Sequence, residues 1–141
     1  MNSPAVASTA ATSSAVTPSA VTPSLNTILI YARDMQKTAS FYQACFGFAG
    51  TGEVVEGLIE LNSPSGASIL IHQAAKSVKL GQAAVKLMFD VQDIEAFKAR
   101  SLEKGIAFGS THEANGYQFA NAKDPDGNSV SISSRRYRKP A

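Results

Sequence analysis

Few side chains in this sequence are suited to chemistry, and their spacing says what kind. Lys86, Met88 and Asp90 alternate within KLMFD, Ser129, Ser131 and Ser133 within NSVSISS, and Ser68, Leu70 and His72 within ASILIHQ. A period of two puts each triplet on one face of a strand. One face then offers an ammonium and a carboxylate, one a row of hydroxyls, and one an imidazole. Lys86 and Asp90 are spaced either to pair with each other or to hold a charged ligand, and a lysine kept from water also serves as a base or Schiff-base nucleophile. His72 and His112 are the only imidazoles and Cys45 the only thiol, which excludes an internal disulfide and cysteine-based zinc fingers. The sequence contains no phosphate loop, GxSxG elbow or dinucleotide fingerprint. His112 and Glu113 fall between expected strands and read as a surface turn.

The elements that must position these residues are marked by caps and turns. Thr27, Leu29 and Tyr31 alternate with Ile28, Ile30 and Ala32, after which Asp34 is a fit N-cap. Met35, Thr38, Phe41, Tyr42 and Cys45 then recur at helical spacing up to Gly47, a suitable left-handed stop. Strands are expected at Phe48 to Val55, Gly57 to Asn62 and Ala67 to Gln73, the last two joined by SPSG. The order then repeats. A strand over Ala84 to Val91 leads to the N-cap Asp93, a helical face of Ile94, Phe97 and Leu102, a stop at Gly105, and strands at Ile106 to Ser110, Tyr117 to Ala122 and Asn128 to Ser134. The last is entered through DPDG, where proline presets φ, aspartate bonds its own backbone and glycine accepts positive φ. A repeat of about 60 residues is too long for a solenoid. The fold class is therefore α+β, with two βαβββ modules at 25–73 and 84–135 packed into one domain.

The flanks are different in composition. Residues 1–24 consist of small, polar and proline residues with a tandem AVTPS, too little apolar surface to offset ordering, so a disordered tail is expected. Arg135, Arg136, Arg138 and Lys139 concentrate basic charge at the other end, and residues 136–141 read as a basic solvated tail. With a net charge of +2 and no basic face or stacking platform inside the fold, nucleic acid is not an expected partner. No apolar run approaches a membrane span, and the first residues lack the basic start and apolar centre of a secretory signal. The expectation is a cytoplasmic protein without a membrane partner.

With RDMQKTASFYQACFGF closing the first helix, KDPDGNSVSI opening the last strand and two βαβββ units, the chain resembles the vicinal oxygen chelate superfamily. That group includes glyoxalases, extradiol dioxygenases, fosfomycin-resistance transferases and bleomycin-binding proteins, and the resemblance covers Leu25 to about Arg135. It implies mixed sheets forming a concave cup, with a metal in catalytic members held from four strand positions, here Thr27, Leu70, Lys86 and Ser131. Leucine has no donor, an ammonium repels a cation and two hydroxyls are poor ligands, so no cofactor is expected and a divalent metal is disfavoured.

The resulting expectation is a metal-free small-molecule-binding protein. Its ligand, anionic or aromatic, would meet Thr27, Tyr31, Leu70, His72, Lys86, Met88, Asp90, Tyr117 and Ser131, with Lys86 as the point charge for a carboxylate or phosphate. The resemblance further implies a homodimer. The alternative is a lyase, isomerase or dioxygenase that uses a displaced metal on His72, Asp90 and Glu113, or a metal-free acid/base pair, Lys86 with Asp90 or His72 with Tyr31. A third reading is an interaction module working through its dimer contact and basic tail.

Overall fold

The computed structural model describes residues 22–139. Residues 1–21 of the expected disordered tail, and 140–141 of the basic one, lie outside the described residues. The first unit runs β1 (Thr27–Ala32), α1 (Met35–Phe46), β2 (Leu58–Leu61) and β3 (Ser68–Gln73). The second runs β4 (Lys86–Asp90), α2 (Ile94–Glu103), β5 (His112–Ala114), β6 (Tyr117–Lys123) and β7 (Ser129–Ser133), followed by a 3-10 turn at Arg135–Tyr137. Two open sheets result, ordered β1-β3-β2 and β4-β7-β6-β5. In each, the first strand of the unit lies parallel to the last and the rest are antiparallel, so both sheets are mixed. They are not closed into a barrel.

Both helices begin as the sequence dictates. Asp34 and Asp93 sit in extended backbone and accept from the N–H groups of Lys37 and Ala96, satisfying donors that the first helical turn leaves free. Gly47 ends α1 at φ 74, a left-handed cap that a side chain would strain. The buried stripe of α1, Met35, Thr38, Ala39, Tyr42 and Cys45, faces the apolar sides of the strands. There Ile30, Ile59, Leu61, Ile69, Ile71 and Val130 complete the larger core. Each such aliphatic side chain contributes about 1.5–3 kcal/mol on burial. A smaller cluster of Ile94, Ala120 and Ile132 lies under α2, and Phe46 joins the two, stacked on Phe89 at 3.7 Å. Cys45 is buried, and desolvation pushes its thiol up, as fits a small hydrophobe.

Three expectations need correction. Phe48 to Val55 forms no strand and keeps only single bridges, Ala49 to Asn62 and Val55 to Leu58. Its Gly50 packs so close that a Cβ there would come within 2.7 Å of the Glu60 carbonyl oxygen, and glycine holds strand geometry weakly. Ile106 to Ser110 is also not a strand; the edge of the second sheet is instead His112–Ala114, which pairs with β6 through His112 and Phe119. His112 and Glu113 are thus ladder residues, not a surface turn. On α2 the buried positions are Ile94 and Ser101, while Leu102 is 63% exposed, because Ser101 continues the stripe of Ile94 and Phe97 whereas Leu102 is turned off it.

The turn between β6 and β7 fastens the units together. Asp124, 4% exposed, accepts the Tyr42 hydroxyl at 2.7 Å, the N–H groups of Asp126 and Asn128 at 2.9 Å each, and the Asn128 amide at 2.9 Å. Asp126 accepts the Arg33 N–H at 2.9 Å and the Thr38 hydroxyl at 2.6 Å. Burial, and then the Asp124 carboxylate, hold the Tyr42 phenol far above its ordinary range. Gly81, from the segment joining the units, packs its Cα position against Gly127, and a Cβ on Gly81 would come within 2.9 Å of the Asp126 carbonyl oxygen.

Candidate functional site

Strand alternation separates the faces as expected, and the polar faces of both sheets lie opposite the helices. On the first, the register sets Thr27 beside Ser68, Leu29 beside Leu70 and Tyr31 beside His72, with Leu58 and Glu60 one strand further. Leu29 is 43% and Tyr31 52% exposed. The His72 Nδ1 lies 2.8 Å from the Gln73 carbonyl oxygen. That oxygen only accepts, so Nδ1 is the donor of the pair. The Tyr31 and His72 rings pack at 5.5 Å, tilted by 59°.

On the second face, Lys86 is level with Ser129, Met88 with Ser131 and Asp90 with Ser133, while Lys123, Asn121 and Phe119 adjoin the same three serines from β6. The Lys86 ammonium reaches across β7 and donates to Asn121 Oδ1 at 3.0 Å, 5.9 Å from the centre of the Phe119 ring. It is exposed at a sheet edge, not recessed. Ser131, 0% exposed beneath this bridge, makes with its hydroxyl only a long 3.4 Å bond among the described residues, to the Ile132 carbonyl. The Phe119 ring is flanked by His112 at 5.1 Å and Tyr117 at 6.3 Å, and the Arg135 guanidinium lies 6.0 Å from the Tyr117 ring centre. Lys123 donates to Ser129 Oγ at 2.9 Å. Asp90 is taken by Arg136, 3.4 Å away, so the Lys86–Asp90 pair is not formed, and part of the basic end folds back onto the sheet.

Two cavities open beside β1 and β4, each an edge strand of its sheet. One, of about 440 Å³, includes Leu29, Tyr31, Leu80, Val85 and Ser129 in its wall. The other, of about 710 Å³, includes Lys86, Met88 and Asp90 with Phe46, Phe97 and Arg136. Of the nine expected site residues, Tyr31 therefore lines the first and Lys86, Met88 and Asp90 the second. Thr27, Leu70, His72, Tyr117 and Ser131 line neither and stand on the sheet faces. His112, read from the sequence as part of a surface turn, joins this face through its register with Phe119.

The positions implied for a metal do not fit one. Thr27 and Leu70 lie diagonally across the β1–β3 pair, and Lys86 and Ser131 across the β4–β7 pair, with a hydrocarbon and an engaged ammonium among the four. The displaced set is not assembled either, since Asp90 and Glu113 sit on opposite edge strands of the second sheet and His72 belongs to the first. Three strand spacings put those edges about 14 Å apart. Glu113 moreover accepts from the Gln118 amide at 2.6 Å. Among the described residues no three His, Cys, Asp or Glu side chains group to hold an ion. Among the described residues no helix is long and apolar enough to cross a membrane.

Comparison with known proteins places this geometry. Among the curated proteins, none matches this sequence. Solved structures of the same fold include a virulence protein from Salmonella typhimurium, 22% identical with a TM-score of 0.65, covering 80% of this chain and 97% of that one. A lactoylglutathione lyase from Agrobacterium tumefaciens is 19% identical with a TM-score of 0.63 over 80% and 94% of the two chains. TnmS3, an antibiotic-binding protein from a Streptomyces species, is 20% identical with a TM-score of 0.64 over 85% and 98%. The family model of the glyoxalase/bleomycin resistance protein/dioxygenase superfamily matches residues 24–132, and the chain belongs to that superfamily.

Proposed function

We propose that this chain binds a small organic molecule on the polar side of its sheets, without a metal. The observation that carries the reading is Lys86: an ammonium held in place by Asn121 and Phe119, with no carboxylate against it among the described residues. A fixed cation beside aromatic rings, with neighbouring hydroxyls and a thioether, is the makeup of a ligand site. The likeness to an antibiotic-binding protein supports binding, and the donor chemistry of Thr27, Leu70, Lys86 and Ser131 supports a metal-free site. Thr27, Tyr31, Leu70 and His72 supply the wall on the first sheet, and Met88, Asp90, Tyr117 and Ser131 line the second around Lys86. The protein works in the cytoplasm as a homodimer, whose second copy covers faces that a single chain leaves open.

The test is to strip the protein with chelator, add zinc, nickel, manganese, iron and cobalt in turn, and screen small molecules before and after. The expected result is no stoichiometric retention of metal and ligand binding indifferent to it. Tight retention of one metal per chain, with binding lost on its removal, would overturn the reading.

A further inference from the structure

Resting on that reading, we infer that the ligand is a planar aromatic carboxylate, seated on the second sheet with its carboxylate at Lys86 and its ring along Phe119 and His112. Charge selects the anion. Lys86 and Lys123 stand level with each other across Ser129, and each donates to a neutral oxygen, of Asn121 or Ser129, rather than to a carboxylate. Arg135 adds a third cation against Tyr117. The face's own acid, Asp90, is already held by Arg136, and Glu113 projects from the opposite side of β5 from His112. The charge left to be matched on this face is therefore positive.

The rings select the aromatic part. His112, Phe119 and Tyr117 form a continuous row from β5 to β6, with centroids 5.1 and 6.3 Å apart, and Lys86 stands against its middle ring, Phe119. One flat molecule therefore meets a point charge and a run of π-faces. Carboxylate is the headgroup because Lys86 and Asn121 lie side by side: an ammonium and an amide, each with N–H donors, match its two oxygens. Beneath them the buried Ser131 hydroxyl, with its single 3.4 Å bond, is an underused donor in the floor of the site. Its hydrogen bonds with oxygen ordinarily lie near 2.7–2.8 Å.

The probes are 2-naphthoate, its neutral analogue 2-naphthalenemethanol and the non-aromatic anion cyclohexanecarboxylate, with affinities measured by calorimetry at low and high salt. Naphthoate should bind at least about tenfold tighter than either of the others, and weaken with salt. Lys86→Met, which keeps the stem and removes the charge, should reduce naphthoate affinity roughly tenfold or more while leaving the far-UV circular dichroism unchanged. Phe119→Leu should weaken it about threefold to tenfold. If the alcohol binds as tightly as the acid, or Lys86→Met leaves naphthoate affinity unchanged, the carboxylate assignment is overturned while small-molecule binding stands. Should cyclohexanecarboxylate match naphthoate, the aromatic assignment is overturned in the same way. If none of the three binds, and a broad metabolite and antibiotic screen also yields nothing, both this inference and the binding function fall.

Discussion

The polar faces of the two sheets are built on nearly the same backbone and carry different chemistry. On the first, Thr27, Leu29, Tyr31, Ser68, Leu70 and His72 make a half-apolar surface with Glu60 as its acid. On the second, Lys86 and Lys123 flank Ser129, and aromatic rings follow along β6. Repetition of a module fixes where side chains point, because pairing and alternation are properties of the backbone. It leaves open what they are. The two faces accordingly differ, one a half-apolar wall and the other a cationic, aromatic floor, whereas the opposite faces of both sheets are apolar and carry the core.

The comparison is broken most severely at the turn that joins the units. Asp124→Ala leaves the Tyr42 hydroxyl, the Asn128 amide and two backbone N–H groups without their acceptor, and should cost about 3 kcal/mol or more in urea unfolding. A loss below about 1 kcal/mol would mean that helix packing alone holds the units in place. A smaller effect comes from the phenol on the same carboxylate. Tyr42 has its folded pKa raised, so its contribution is complete below the unfolded value near pH 10 and declines as pH rises beyond it. Between about pH 9 and 11 the wild type should therefore lose more stability than Tyr42→Phe, and parallel curves would show that the phenol ionises equally in both states.

Gly81→Ala should cost about 1–2 kcal/mol, since φ is +78 and the added carbon meets the Asp126 carbonyl. Thermal unfolding would reveal it, and no change would mean that the joining segment moves aside freely. The smallest effect sharpens the contrast between the faces themselves: Leu70→Ala, on the first, should change naphthoate affinity by less than about threefold, against the tenfold expected from Lys86. An equal loss from both would mean that the ligand rests on the apolar wall as strongly as on the cation.

What was legible in the sequence was local. Asp34, Gly47, Asp93 and the DPDG turn signal caps through their own chemistry, and alternation alone sorted Ile28, Ile30, Val130 and Ile132 from Thr27, Leu29, Ser129 and Ser131. What was not legible depends on partners far along the chain. Ile106 to Ser110 alternates like a strand, yet β5 lies at His112–Ala114, where the register with β6 is met. Phe48 to Val55 looked extended, but Gly50 is pressed against the backbone of β2. Lys86 and Asp90 are spaced either to pair or to hold a ligand, and in the fold the lysine reaches over a strand to Asn121 while the aspartate is met from the C-terminal turn. For the candidate site, sequence gave the face of each residue and not which of them touch.

The Tyr42–Asp124 hydrogen bond also bears on how the protein is made. Its two ends are 82 residues apart in the chain, and ribosomes add about 5–20 residues per second. For roughly 4 to 16 s after Tyr42 is polymerised, its hydroxyl has no carboxylate to meet. Until Asp124 is made, the first unit therefore lacks the acceptor that its buried phenol requires, and the turn that carries Asp124 completes both units.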